Sequence, residues 1–169
     1  MTPQLDLATQ LDLALRLAVG LALGALVGLE RELQRQPAGF RTHGMVSLGA
    51  ALFTVVSGFG FAGAGTDPTR IAAQIVSGIG FIGAGTIIQS RGHVRGLTTA
   101  ASLWSVAGIG MAAGAGLYGV ALIGTALMIA VLWLFDRIEA WARRRIGLPE
   151  DADHSAEDTG TDTRGEEAK

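Results

Sequence analysis

Cysteine is absent from the 169 residues. Its absence excludes disulfides, thiolate metal sites and thiol nucleophiles, and leaves the redox compartment unmarked. Charge is scarce as well: 17% of residues are Asp, Glu, Lys or Arg, against about 25% in an ordinary soluble domain. The three histidines, His43, His93 and His154, lie in separate segments and make no HExxH-type metal pattern. Glycines number 25, but neither a Walker P-loop nor a strand-associated dinucleotide fingerprint is among them. No soluble basic domain is present to bind nucleic acid. An enzyme is therefore not expected, and no cofactor or metal is implied.

What the chain has instead is apolar surface. Hydrophobic residues make up 49% of it and the mean hydropathy is positive, +0.40, a composition that favours a membrane protein. Its charges are segregated: residues 150–169 hold eight acids and two bases, leaving 11 bases against seven acids before them. No Lys or Arg precedes Arg16, and no small-residue cleavage site follows the first apolar run, so a cleaved signal peptide is not expected.

A spanning helix needs about 20 mostly apolar residues, and such runs stand at 11–29, 44–61 and 71–89. Asp12 and Arg16 are one turn apart in the first and can pair at i, i+4. Asp67 and Pro68 announce the third as N-cap and first helical residue. The run from Leu97 to Phe135 is free of charge for 39 residues, roughly 58 Å of helix at about 1.5 Å per residue. That is too long for one span. It splits at AGAGLYG (Ala113–Gly119) into helices at 97–113 and 117–135.

The expected fold is an all-α membrane domain (11–136) of about five transmembrane helices, preceded by an extracytoplasmic N-terminus (1–10). With the N-terminus outside and the C-terminus cytoplasmic, Arg31, Arg35, Arg41, Arg91, Arg95, Arg137, Arg143, Arg144 and Arg145 fall inside and Arg70 alone outside, as the positive-inside rule requires. Trp133 and Trp141 flank the last interface. Residues 137–148 form a basic juxtamembrane segment that either continues the fifth helix or meets anionic lipid at the inner surface. The acidic stretch 149–169 lacks aromatic residues and is expected to be disordered.

Gly20, Gly24 and Gly28 form a tandem GxxxG on one face of the first helix, a pattern that lets another backbone approach closely in lipid. SGFGFAGAGT (57–66) and SGIGFIGAGT (77–86) are alike; in the second, Gly78, Gly80, Gly83 and Gly85 imply either tight packing or local unwinding. Polar residues gather at the helix ends. Glu30 and Arg31 follow the first span, Arg41 and His43 enter the second, and Arg95, Thr98 and Thr99 enter the fourth. On this topology they share one face, where Arg41 and Arg95 with the two threonines can hold a phosphate or carboxylate or serve simply as topological anchors. Asp67, Arg70 and Gln74 lie at the other.

GALVGLERE (24–32), PAGFRTH (37–43), DPTRIAAQIVSGIGFIGAGTI (67–87) and VRGLTTAASLW (94–104) occur in the order in which the MgtC/SapB family of bacterial inner-membrane proteins carries them, and the chain resembles that family over most of 11–135. The resemblance implies a five-span, multi-pass protein of the cell inner membrane. In the name-giving members it further implies a role in growth under magnesium limitation and in survival inside macrophages, and interaction with the F-type ATP synthase rather than magnesium transport. It marks Glu30, Arg31, Arg41, His43, Asp67, Arg70, Gln74, Arg95, Thr98 and Thr99 as functional positions. The chain departs from the virulence-associated members, which carry a folded soluble C-terminal domain where only 34 residues follow Phe135 here.

Two functions follow as expectations. One is a non-enzymatic regulator of a membrane complex, docking through small-residue helix faces such as Gly24 and Gly28. The other is a small ion or solute transporter or channel, assembled as a homo-oligomer in the lipid bilayer.

Overall fold

The computed structural model describes residues 5–61, 67, 69–90 and 93–146. The acidic segment 149–169, residues 62–66 of the first glycine-rich decapeptide, Pro68, Arg91 and His154 lie outside the described residues, and so do the expectations attached to them. Five helices follow in chain order: α1 (Leu7–Leu33), α2 (Phe40–Phe59), α3 (Thr69–Ala84), α4 (Leu97–Gly114) and α5 (Tyr118–Ile146), with strands β1 (Ile88–Ser90) and β2 (His93–Arg95) between α3 and α4. Four of the helices are long and apolar enough to cross a membrane. The all-α membrane class is thus borne out, with one small antiparallel ribbon added, Gln89 opposite Val94.

The third helix is the main departure from the expected spans. It ends at Ala84 rather than Gln89, leaving 16 residues, about 24 Å against a hydrocarbon core of about 30 Å. Thr86 donates its hydroxyl back to the Gly83 carbonyl at 2.7 Å, and the chain then enters the ribbon through Ile87 and Ile88. Those two isoleucines extend the apolar run, but β-branched residues after glycine suit a strand. Gly96 returns the chain to α4 with φ of 86°, and a Cβ there would lie 2.0 Å from the Thr86 carbonyl oxygen. Only glycine fits that position.

The bundle is organised around α2, which α1 flanks in antiparallel and α4 in parallel. Three residues of α2, one turn apart, each meet glycine or a small polar group on either side. A Cβ on Gly28 would lie 2.6 Å from Phe40 Cα and 2.9 Å from His43 Cβ. On Gly24 it would lie 2.4 Å from Ser47 Cβ, and on Gly20 3.0 Å from Ala51 Cβ. From the α4 side, a Cβ on Gly110 would lie 2.1 Å from the Ser47 carbonyl oxygen and one on Gly114 2.6 Å from that of Ala51. Ser47 fastens the middle layer, donating its hydroxyl to the Gly20 carbonyl at 2.6 Å.

α3 leans on α2 and α4 through a small apolar cluster in which Ile75 and Ile79 meet Val46, Ala50, Ala107 and Met111. Its glycines divide: the helix ends just before Gly85 and Gly83 is buried against α4, whereas Gly78 and Gly80 neither pack nor unwind. A Cβ on Gly83 would lie 3.5 Å from the Ala100 carbonyl oxygen, whereas one on Gly78 or Gly80 would meet nothing within 4 Å, and the helix stays regular through both.

At the opposite end of α1 from His43, Arg16 pairs with Asp12 at 2.7 Å, as the i, i+4 spacing anticipates. It also donates to the Gly114 carbonyl at 3.2 Å and stacks over Phe59 with Cζ 5.4 Å from the ring centre. Tyr118 donates to Asp12 at 3.4 Å. The α4–α5 break falls within the expected AGAGLYG segment, at Gly116 with φ of 79°. α5 begins with Ala121, Gly124 and Thr125 turned inward, Thr125 donating to the Ala121 carbonyl at 2.8 Å.

Among the described residues, those from Leu132 to Ile146 belong to a second unit. Within it the helix continues through the expected basic segment as far as Ile146. Arg137 lies 4.6 Å over Trp133 and Arg145 5.3 Å over Trp141, the spacing of cation–π pairs.

Candidate functional site: the His43 end of the bundle

His43 enters α2 one turn after Gly39 and is fully buried, at 0% exposure. Gly28 on α1 allows this, because its missing side chain leaves room for the histidine stem. The imidazole bridges two helices: Nδ1 is 3.1 Å from the Gly39 carbonyl and Nε2 is 2.9 Å from Ser102 Oγ on α4. A carbonyl can only accept, so Nδ1 carries the proton. Ser102 Oγ is also 2.8 Å from the Thr99 carbonyl, and the hydroxyl has one proton for two acceptors. With neutral imidazole it donates to Nε2. With imidazolium, Nε2–H donates to Oγ and the hydroxyl turns to Thr99. The site accommodates either state by one hydroxyl rotation.

Beside it, Arg31 is 2% exposed. Its Nε and terminal nitrogen grip the Glu30 carboxylate at 2.5 and 2.8 Å. A guanidinium that deep is tolerated only when paired, and among the described residues no buried side-chain nitrogen or oxygen lacks a partner. Glu32, one position on, faces outward and accepts the Phe40 amide at 3.0 Å. It supplies the N-terminus of α2 with the carboxylate that Gly39 lacks.

The structure divides the expected site residues into three groups. Glu30, Arg31, His43 and Thr99 converge in the buried cluster. Arg41, Arg95 and Thr98 are at the same end but exposed. Thr99 is buried, at 4% exposure, whereas Thr98 is exposed, so the two hydroxyls of the expected anion cradle differ in their access to a ligand. Asp67, Arg70 and Gln74 sit at the far end of α3, all exposed. Asp67 caps the helix, accepting from Thr69 N at 2.9 Å and Thr69 Oγ1 at 2.6 Å. Those two hydrogen bonds, the hydroxyl's first, hold its carboxyl below the usual carboxylate range. Ser47, Ser102 and Glu32 were not among the expected residues. The signal for the serines was a hydroxyl inside an apolar run, and for Glu32 a carboxylate eight residues before a glycine-capped helix.

Four helices long and apolar enough to cross a bilayer, packed as one bundle, define a multi-pass membrane protein. Residues 17–141 match the model of the MgtC family, and the chain belongs to that family. It is 41% identical over 124 residues to the Escherichia coli K12 protein named "Putative magnesium transporter YhiD", covering 70% of this chain and 57% of that one. It is 49% identical over 109 residues to Protein MgtC of Brucella abortus, covering 64% and 45% respectively. An uncharacterized Synechocystis protein is 44% identical over 115 residues, covering 68% and 48%. The matched region thus spans about half the length of these curated relatives. No solved structure matches the chain.

Proposed function

We propose that this chain is a non-enzymatic regulator in the bacterial inner membrane, with its N-terminus outside and its C-terminus cytoplasmic. It acts by binding a larger membrane complex tied to magnesium limitation or stress adaptation, the F-type ATP synthase being the candidate. The observation that carries this reading is that the buried polar side chains are used up within the chain. Glu30, Arg31, His43, Ser47 and Ser102 bond to one another or to backbone, so they hold the bundle shut. Among the described residues no three His, Asp or Glu side chains converge. The clustering of Arg31, Arg35, Arg41 and Arg95 at one end supports the orientation.

Docking through Gly24 and Gly28, however, is not available, because α2 of the same chain already fills that face. The partner surface moves to the open apolar side of α5, where Val120, Ile123 and Leu127 are each at least 60% exposed. Mild-detergent purification from cells grown in low and high magnesium, with partners identified by mass spectrometry, tests this. Enrichment of ATP synthase subunits that Ile123→Ser reduces is the expected result; a chain recovered alone in both conditions overturns it.

A transporter is the second reading, favoured by the name that the Escherichia coli relative bears. Magnesium uptake by liposomes containing the purified protein would establish it in place of the first.

A further inference from the structure

Helices that face lipid carry their polar residues inward. α3 does the reverse. Its inward face is Ile75, Ile79 and Gly83, while Arg70, Gln74, Ser77 and Phe81 recur at intervals of four, three and four on the opposite side, all exposed, Phe81 at 85%. That spacing is one continuous stripe. Among the described residues, neither the Gln74 amide nor the Ser77 hydroxyl has a hydrogen-bond partner. An amide left unpaired in hydrocarbon is strongly unfavourable, so lipid is a poor cover for this face. Gly78, alongside the stripe, would place a Cβ in open space, which leaves room for another backbone.

We infer that this stripe of α3 is the contact between two copies of the chain, related by a two-fold axis along the membrane normal. The face is complementary to itself. Such an axis sets residues of equal depth against one another, and an amide or a hydroxyl both donates and accepts, so the two Gln74 amides can bond reciprocally, each donating to the other's carbonyl, and one Ser77 hydroxyl can donate to the other. At the mouth, Asp67 and Arg70 carry opposite charges on one helical turn, and among the described residues they make no ion pair with each other. Across the axis, Arg70 of each copy reaches the second copy's Asp67. A different membrane protein would have to match this sequence of groups by its own design; a second copy matches it by symmetry. The pairing leaves α5 free, so it stands or falls separately from the regulator reading.

The natural absence of cysteine makes the test direct. Full-length chains carrying Gln74→Cys, Ser77→Cys, Phe81→Cys or, on α5, Leu127→Cys are expressed, oxidised in native membranes and run on non-reducing gels. A disulfide requires Cα atoms within about 7 Å. The three α3 variants are expected to give dimer of twice the monomer mass, several-fold above Leu127→Cys. Cross-linking at α3 no greater than at Leu127 would mean that lipid covers the stripe and would overturn the inference. Cross-links from α3 to a protein of another mass would overturn it equally.

Discussion

At the residue scale the glycines separate into two kinds that composition alone cannot distinguish. Gly110 and Gly24 sit where a Cβ would collide with the α2 backbone or Ser47, whereas Gly108 and Gly80 face open space. Gly110→Ala is therefore expected to destabilise the bundle by about 1–3 kcal/mol. Gly108→Ala is expected to be neutral or to stabilise by about 0.4–1 kcal/mol, through lost freedom of the unfolded chain. Thermal unfolding in detergent, read as the difference between the two variants, checks both. Ser102→Ala removes the one hydroxyl that serves His43 Nε2 and is expected to cost about 1–3 kcal/mol; a melting temperature equal to the parent's would refute that role. The tandem glycines of α1 were legible because a four-residue repeat in an apolar run signals close packing. Gly110 and Gly114 have the same spacing, but lie among so many small residues of α4 that the pattern did not stand out.

At the element scale the helix ends carry most of the polar work. α2 begins at a glycine, and its first amide is met by Glu32 from the preceding helix. Glu32→Ala is expected to destabilise the α1–α2 junction by about 0.5–2 kcal/mol, seen as faster hydrogen exchange confined to the first turn of α2. α3 is capped by Asp67, whose carboxyl titrates below its ordinary value because Thr69 hydrogen-bonds its charged form. The sign follows: this cap is intact above the unfolded-state value near 4 and is lost as pH falls through the lower folded value. The Thr69 amide resonance is expected to shift in acid in the parent chain and to stay constant in Asp67→Asn. The cap was readable from Asp67 itself. The end of α3 was not, since hydropathy counts Ile87 and Ile88 as helix and is blind to the strand preference that follows a glycine pair. Glu32 was missed because capping is normally sought within a few residues of the helix it serves.

At the scale of the whole molecule, the family, the membrane class and the α4–α5 break were all present in the sequence, because apolar run length and turn composition report directly on them. The buried cluster was half visible: charged residues at helix ends announce themselves, but their partners Ser47 and Ser102 are ordinary hydroxyls until helices are placed side by side. The proposed orientation predicts that a single cysteine at Thr98, exposed beside β2, is labelled only from the cytoplasmic side of the membrane, whereas one at Asp67 is labelled only from outside. The ties of Arg16 have a consequence for how the protein is made. Its partner carbonyl on Gly114 stands 98 residues later in the chain, so when α1 is synthesised the guanidinium has only Asp12 beside it. During insertion α1 is a helix with an unfinished polar knot, held near the membrane boundary, and the knot is completed when Gly114 and Tyr118 emerge. The turn that precedes α5 thus completes the polar ties of α1 and joins the start of the five-helix run to its last connection.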